Sequence, residues 1–149
     1  MSKALPIAQV EISCFAHATE DEGKVLSALK RLLPEGQVAD TVFEKNKMQG
    51  HHGNPIMLFE SKVMEKSAIR ALIENLASNL GSSDKEILLN EFEMHFEKGS
   101  LYIRLDKQAA FLGEFRLGAA DPVRVRLRFR KNRLEDVVEI CREVGLIPR

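Results

Sequence analysis

The sequence predicts an α+β fold, a mostly antiparallel sheet with helices packed on one of its faces. Three observations carry this. The stretches 8–14, 101–105 and 123–129 alternate apolar and polar residues with the period of a half-buried strand. Four other stretches space their apolar residues as one face of a helix does. The elements then run β-α-β-β-α-α-β-(β)-β-α with some very short connections, an order that suits antiparallel pairing with helices layered on one side. The 149 residues make one domain, 1–149. A chain of this size buries roughly two thirds of its unfolded surface and needs no covalent or metal staple.

In the first strand Ala8, Val10, Ile12 and Cys14 point one way, and Gln9, Glu11 and Ser13 the other. Thr19 and Glu22 read as a capping box opening a helix with Val25, Leu26, Leu29, Leu32 and Leu33 inward, ended by Pro34 and Gly36. Val38 to Phe43 reads as a weaker strand, Gln49 to Pro55 as a loop, and Ile56 to Val63 as a third strand. The clearest helix carries Ala68, Ile69, Leu72, Ile73, Leu76 and Leu80, with Gly81 as its C′ residue. Ser83 with Glu86 opens another, inward at Leu88, Leu89, Phe92 and Phe96 and stopped by Gly99. Leu101, Ile103 and Leu105 form a strand; 107–117 fits either a bent strand or a short helix. Val123, Val125, Leu127 and Phe129 form the last strand. Asn132 with Glu135 caps a final helix with Leu134, Val137, Val138 and Cys141 inward and Gly145 at its close.

Composition excludes several function classes. Lys plus Arg and Asp plus Glu are both 22, which argues against a uniformly basic nucleic-acid coat but leaves room for a local patch. The two cysteines, Cys14 and Cys141, form no CxxC and suit a reduced, cytoplasmic compartment. No apolar run approaches the roughly 18–20 residues that span a bilayer, and Met1 to Pro6 is polar, so a soluble intracellular protein with no membrane partner is expected. No Gly-x-Ser-x-Gly, GxxxxGK[ST], GxGxxG or HExxH occurs, so neither catalytic residues, nor a metal, nor a cofactor is expected. The acidic stretch with Glu86, Glu91, Glu93 and Glu97 reads as a solvated helix face.

The strongest local signal is Arg124 to Arg133. It holds six of the 22 basic residues and no acidic one, which leaves 16 basic against 22 acidic residues elsewhere. Strand alternation puts Arg124, Arg126, Arg128 and Arg130 on one face, about 6–7 Å apart. Four guanidiniums in a row need anions, and their planar forks match phosphate. The competing reading is an edge strand made soluble by charge, or zipped to acidic neighbours. The second cluster, Gly50-His51-His52-Gly53-Asn54-Pro55, either presents backbone N–H groups to an anion or simply joins two strands. In the third, Asp106 to Phe111, Lys107 suits a phosphate and Gln108 a base edge, while Ala109 and Ala110 equally suit a tightly packed kink.

Taken together, Gly50-His51-His52-Gly53-Asn54-Pro55-Ile56, Asp106-Lys107-Gln108-Ala109-Ala110-Phe111 and Asp121-Pro122-Val123-Arg124-Val125-Arg126-Leu127 resemble an archaeal family. Its members are small RNA-binding domain proteins labelled as predicted exosome subunits. The resemblance covers nearly the whole chain, with the motifs in the family's order and approximate spacing. It implies a fold like that of the ribosomal protein that binds 5S rRNA, an archaeal cytoplasmic protein, and a candidate homodimer. The family supplies no agreed catalytic residues. The expectation is therefore a non-enzymatic RNA-binding protein in RNA processing or ribosome-related work, with exosome or ribosome components as candidate partners. Arg124, Arg126, Arg128, Arg130 and Lys131 would neutralise phosphates, with Arg104 and Tyr102 on the same sheet face. His51, His52, Asn54, Lys107 and Gln108 would add contacts at the rim. The rival is a protein–protein adaptor or homodimer whose arginine strand meets an acidic surface such as Asp84 to Glu97.

Overall fold

The computed structural model describes residues 5–33, 43–50 and 53–149. Its centre is built from the two segments with the cleanest alternation. Strand β1 (Ile7–Ala16) turns Val10, Ile12, Cys14 and Ala16 to the core, and β6 (Val123–Phe129) does the same with Val123, Val125, Leu127 and Phe129. They pair antiparallel, Ile12 opposite Val125 and Glu11 opposite Arg126. Around them the six strands run β2-β3-β1-β6-β5-β4, with every neighbouring pair antiparallel. Here β2 is Glu44–Gln49, β3 Pro55–Val63, β4 Phe96–Glu97 and β5 Ser100–Leu105. This is the expected α+β architecture.

Six helices lie among the described residues: α1 (Glu22–Lys30), α2 (Lys66–Asn79), α3 (Ser82–Asn90), α4 (Phe92–His95), α5 (Lys107–Phe111) and α6 (Leu134–Val144). Their apolar stripes join the inner side of the sheet in one core. Leu29 from α1, Leu72, Ile73 and Leu76 from α2, and Val137 and Cys141 from α6 are all sealed within it. Each such side chain contributes about 1.5–3 kcal/mol by leaving water. The other side of the sheet carries Gln9, Glu11 and Ser13 of β1, Tyr102 and Arg104 of β5, and Arg124, Arg126 and Arg128 of β6.

Several local expectations are corrected. The cap of α1 is Asp21, whose carboxylate accepts from Gly23 N at 2.8 Å, rather than Thr19. Gly81 has φ −71° and stands before α3 instead of closing α2 in a left-handed conformation. Ser83 and Asn132 cap nothing; α3 and α6 begin after Gly81 and Arg133 without a side-chain cap. The helix drawn through Phe96 breaks at Glu91. Phe96–Glu97 pairs with β5 across a tight turn in which Lys98 (φ 50°) and Gly99 (φ 82°) are both left-handed, as a two-residue hairpin demands. Gly145 does close α6, at φ 87°, with Leu146 N bonded to Cys141 O and Gly145 N to Arg142 O.

Strand β2 was not expected. Its sequence, Glu-Lys-Asn-Lys-Met-Gln, has no apolar alternation and every residue is exposed. It exists because it edges the sheet, held by the ladder to β3 and not by burial. The weaker strand expected from Val38 falls at 38–42 outside the described residues; Phe43 precedes β2. The ambiguous stretch 107–117 is both things in turn. Asp106 caps α5 by accepting from Ala109 N, and the chain then returns so that Leu117 bridges Leu105.

Candidate nucleic-acid interface

Pairing register assembles the outer side of the sheet in rows. Glu11 of β1 lies opposite Arg126 of β6, which lies opposite Tyr102 of β5. The next row reads Ser13, Arg124, Arg104, and the previous one Gln9, Arg128, Ser100. Successive side chains on one strand face are about 6.8 Å apart. Arg104, Arg124, Arg128 and Arg130 are exposed and Arg126 half-buried, while the intervening Val123, Val125, Leu127 and Phe129 are buried. Arg130 follows the last residue of β6, where its backbone N donates to Pro6 O at 2.8 Å. Lys131 is exposed beside it.

The arginines are not equivalent. Arg126 donates Nη1 to Glu11 Oε2 at 3.3 Å and Nε to Ser100 Oγ at 3.1 Å, and lies 5.6 Å from the Tyr102 ring centroid. Arg124 lies 4.9 Å from the centroid of Phe15. Among the described residues, Arg104, Arg124, Arg128 and Arg130 have no carboxylate within salt-bridge distance. Arg104 and Arg124 stand directly opposite each other, an arrangement of like charges that weakens a strand pair. Between these rows the surface dips into a cavity of about 430 Å³, walled at one end by Ala119 and Pro122.

Lys107 is corrected as a phosphate ligand. It is 1% exposed, and its Nζ donates to Phe15 O at 2.8 Å, Glu20 Oε1 at 2.9 Å and Asp121 Oδ2 at 2.6 Å. All three of its donors are spent inside the protein. Burial works against its charge, but the bonds to Asp121 and Glu20 outweigh that and hold its pKa above the ordinary lysine value. Asp121 shows the mirror effect: burial alone would raise its carboxyl, yet Lys107 and His17 hold it below the usual range. His17 Nε2 lies 3.1 Å from Asp121 Oδ1. This clamp ties the end of β1 to the approach to β6, where Asp121 has a left-handed φ of 47°, and so sets the cavity wall.

Gln108 is exposed on the first turn of α5. Asn54 is exposed in the β2–β3 turn, where its carbonyl accepts from Gly50 N at 2.8 Å and Gly53 takes φ 76°. Pro55, next in the chain, opens β3, whose Met57 pairs with Ala16 at the end of β1. His51 and His52 lie outside the described residues. Sequence reasoning missed Glu11, Ser13 and Phe15 as members of the face. Their outward direction was readable from the alternation, but their adjacency to β6 was not. Both thiols are free and buried; burial pushes Cys14 up to about 11 and Cys141 up to about 12.

A family model described as RNA binding matches residues 9–129, which span β1 to β6. The chain is 36% identical over 148 residues to a Pyrococcus abyssi protein named as an RNA-binding protein, covering 96% of each. It is 34% identical over 145 residues to an uncharacterized protein of Methanocaldococcus jannaschii, covering 91% of this chain and 97% of that one. The crystal structure of an Archaeoglobus fulgidus protein designated DUF54 matches with a TM-score of 0.78 at 33% identity, over 91% of this chain and 99% of the other. All three relatives are archaeal. No helix among the described residues is long and apolar enough to cross a membrane.

Proposed function

The chain belongs to the RNA-binding family, and on that premise we propose that the arginine-bearing outer face of its sheet is the surface that takes RNA. One observation carries the reading: Arg104, Arg124, Arg128 and Arg130 share this side of the molecule with no intramolecular carboxylate partner among the described residues, two of them in direct opposition. Folding gains nothing from that arrangement. A phosphate backbone supplies the missing counter-charge and releases its own counterions in doing so. Guanidinium forks grip phosphate oxygens bidentately. Lys131 extends the row, Arg126 and Tyr102 complete the face, and Gln108, Asn54, His51 and His52 are the proposed rim contacts.

In this reading the protein works without a chemical step, in the cytoplasm, in RNA processing or ribosome-related work, with exosome or ribosome components as partners. The three-motif resemblance supports that assignment, and it implies a fold like that of the 5S-rRNA-binding ribosomal protein. The test is a salt titration of single-stranded RNA binding. Four phosphate contacts give a log–log slope near −3, from about −0.7 each. Replacing Arg124 and Arg128 together by Glu should weaken binding to all sequences alike and flatten the slope to about −1.4. An unchanged slope in the double variant overturns the proposal. An adaptor or homodimer would instead show weak RNA binding that ignores the double change, with assembly lost in sedimentation.

A further inference from the structure

We propose that this face holds a pocket for one unpaired nucleotide, with guanine the preferred base: Tyr102 and Arg126 stack on the base and Glu11 reads its edge. The inference rests on the RNA reading above and names what the RNA must present. The cavity of about 430 Å³ is lined by Glu11, Ser13, Tyr102, Arg104, Arg124 and Arg126. That volume is of the order of small-ligand sites, which run from about 300 to 1,000 Å³. A surface that tracked phosphates alone would need neither a cavity nor an aromatic ring.

Glu11 is the telling residue. A carboxylate beside the arginine strand repels a phosphate, and it partly neutralises Arg126 at 3.3 Å. Arg126 is thus the arginine least available to the backbone, whereas Arg124 and Arg104 in the neighbouring row have no carboxylate within salt-bridge distance among the described residues. The two rows divide the labour: one takes a base and the next its phosphate. Tyr102 is 37% exposed, and a guanidinium already lies over its ring. Aromatic rings and arginine planes are the platforms on which unpaired bases stack.

The edge chemistry selects the base. Glu11 Oε2 receives Arg126 and Oε1 receives Gln9 Nε2 at 2.7 Å. Each oxygen thus keeps one acceptor site. Guanine offers two adjacent donors on its Watson–Crick edge, N1–H and the N2 amino group, which match a carboxylate's two oxygens. Adenine, cytosine and uracil each offer one donor there. In a duplex those donors are already paired, so the pocket selects single strands.

The test uses the whole chain and fluorescence anisotropy with three probes: a uridine oligomer of about ten nucleotides, the same oligomer with one central guanosine, and an RNA duplex of equal length. The guanosine should raise affinity by about tenfold, and the duplex should bind more weakly than either single strand. Tyr102→Ala should cost single strands about tenfold, and Tyr102→Phe should restore the loss by keeping the stacking ring. Glu11→Gln should bring the guanosine-to-uridine affinity ratio close to one. No gain from guanosine, wild-type binding by Tyr102→Ala, or a duplex bound as tightly as a single strand would each overturn the pocket. If RNA binds and depends on Arg124 and Arg128 but not on Tyr102 and Glu11, the pocket alone fails. If none of the probes binds, the RNA reading of the face fails with it.

Discussion

Replacing Lys107 by Met should cost the fold about 3 kcal/mol. Methionine preserves most of the volume and removes the ammonium. What it leaves behind is a Phe15 carbonyl without its donor and two carboxylates, Glu20 and Asp121, without their cation. Removing one partner from a buried ion pair typically costs about 3–5 kcal/mol. The lower end applies because the Glu20 and Asp121 side chains are 21% and 40% exposed and regain water. For a chain of this length that is a fall in Tm of about 6–12 °C, at about 2–4 °C per kcal/mol. The pH dependence has a defined sign. Asp121 sits below its ordinary 3.8, so its contribution is present above that value and lost as pH falls through the lower folded-state pKa. Lys107 sits above its ordinary 10.5, so its contribution is present below that value and lost as pH rises through the higher folded-state pKa. The gap between wild type and variant should therefore be widest between those limits and close towards either extreme. Urea denaturation across pH measures it. A loss under about 1 kcal/mol at neutral pH, the worth of an exposed pair, would refute the reasoning.

Gly118→Ala should destabilise by about 1–3 kcal/mol, because a Cβ there meets Asp106 Cβ at 2.8 Å, Cα at 2.9 Å and N at 3.1 Å, and that backbone is pinned by the bond from Gly118 N to Arg104 O; a denaturation midpoint equal to wild type would contradict the close approach. Cys14 and Cys141 are 1% and 0% exposed, so a disulfide reagent should modify neither until the protein opens, and a fast phase in the native protein would place a thiol at the surface.

The sheet's faces are legible in the sequence because alternation is a local property. Val123 to Phe129 can bury one side only by exposing the other, and its three arginines fix which side that is. The long helix α2 was equally plain, since six of its residues fall on one stripe that water excludes. The sequence misleads where its local signals are degenerate. Thr19 and Asp21 are both competent caps, and the choice went to Asp21 while Glu20 was drawn to Lys107 and to His17 N. Strand β2 has no apolar period at all, so only its partner β3 reveals it.

Lys107 is the sharpest case. A lysine beside a polar glutamine, just past a strand, reads as a surface cation. Its burial depends on Glu20, 87 residues earlier, and Asp121, 14 later, meeting at the end of β1. Glu11 beside Arg126, 115 residues apart, is the same kind of fact. The sequence alone determined the α+β class, the inward and outward sides of the central strands and the concentration of positive charge in one of them, because those follow from the periodicity of neighbouring residues. Tertiary structure alone decided which arginines remain without a carboxylate, which lysine is sealed away and where a cavity opens among them. Those depend on which distant segments meet, and for the arginines on strand order and register: a one-residue slip in pairing would carry a strand's outward residues to the core side while leaving the segment's own pattern untouched.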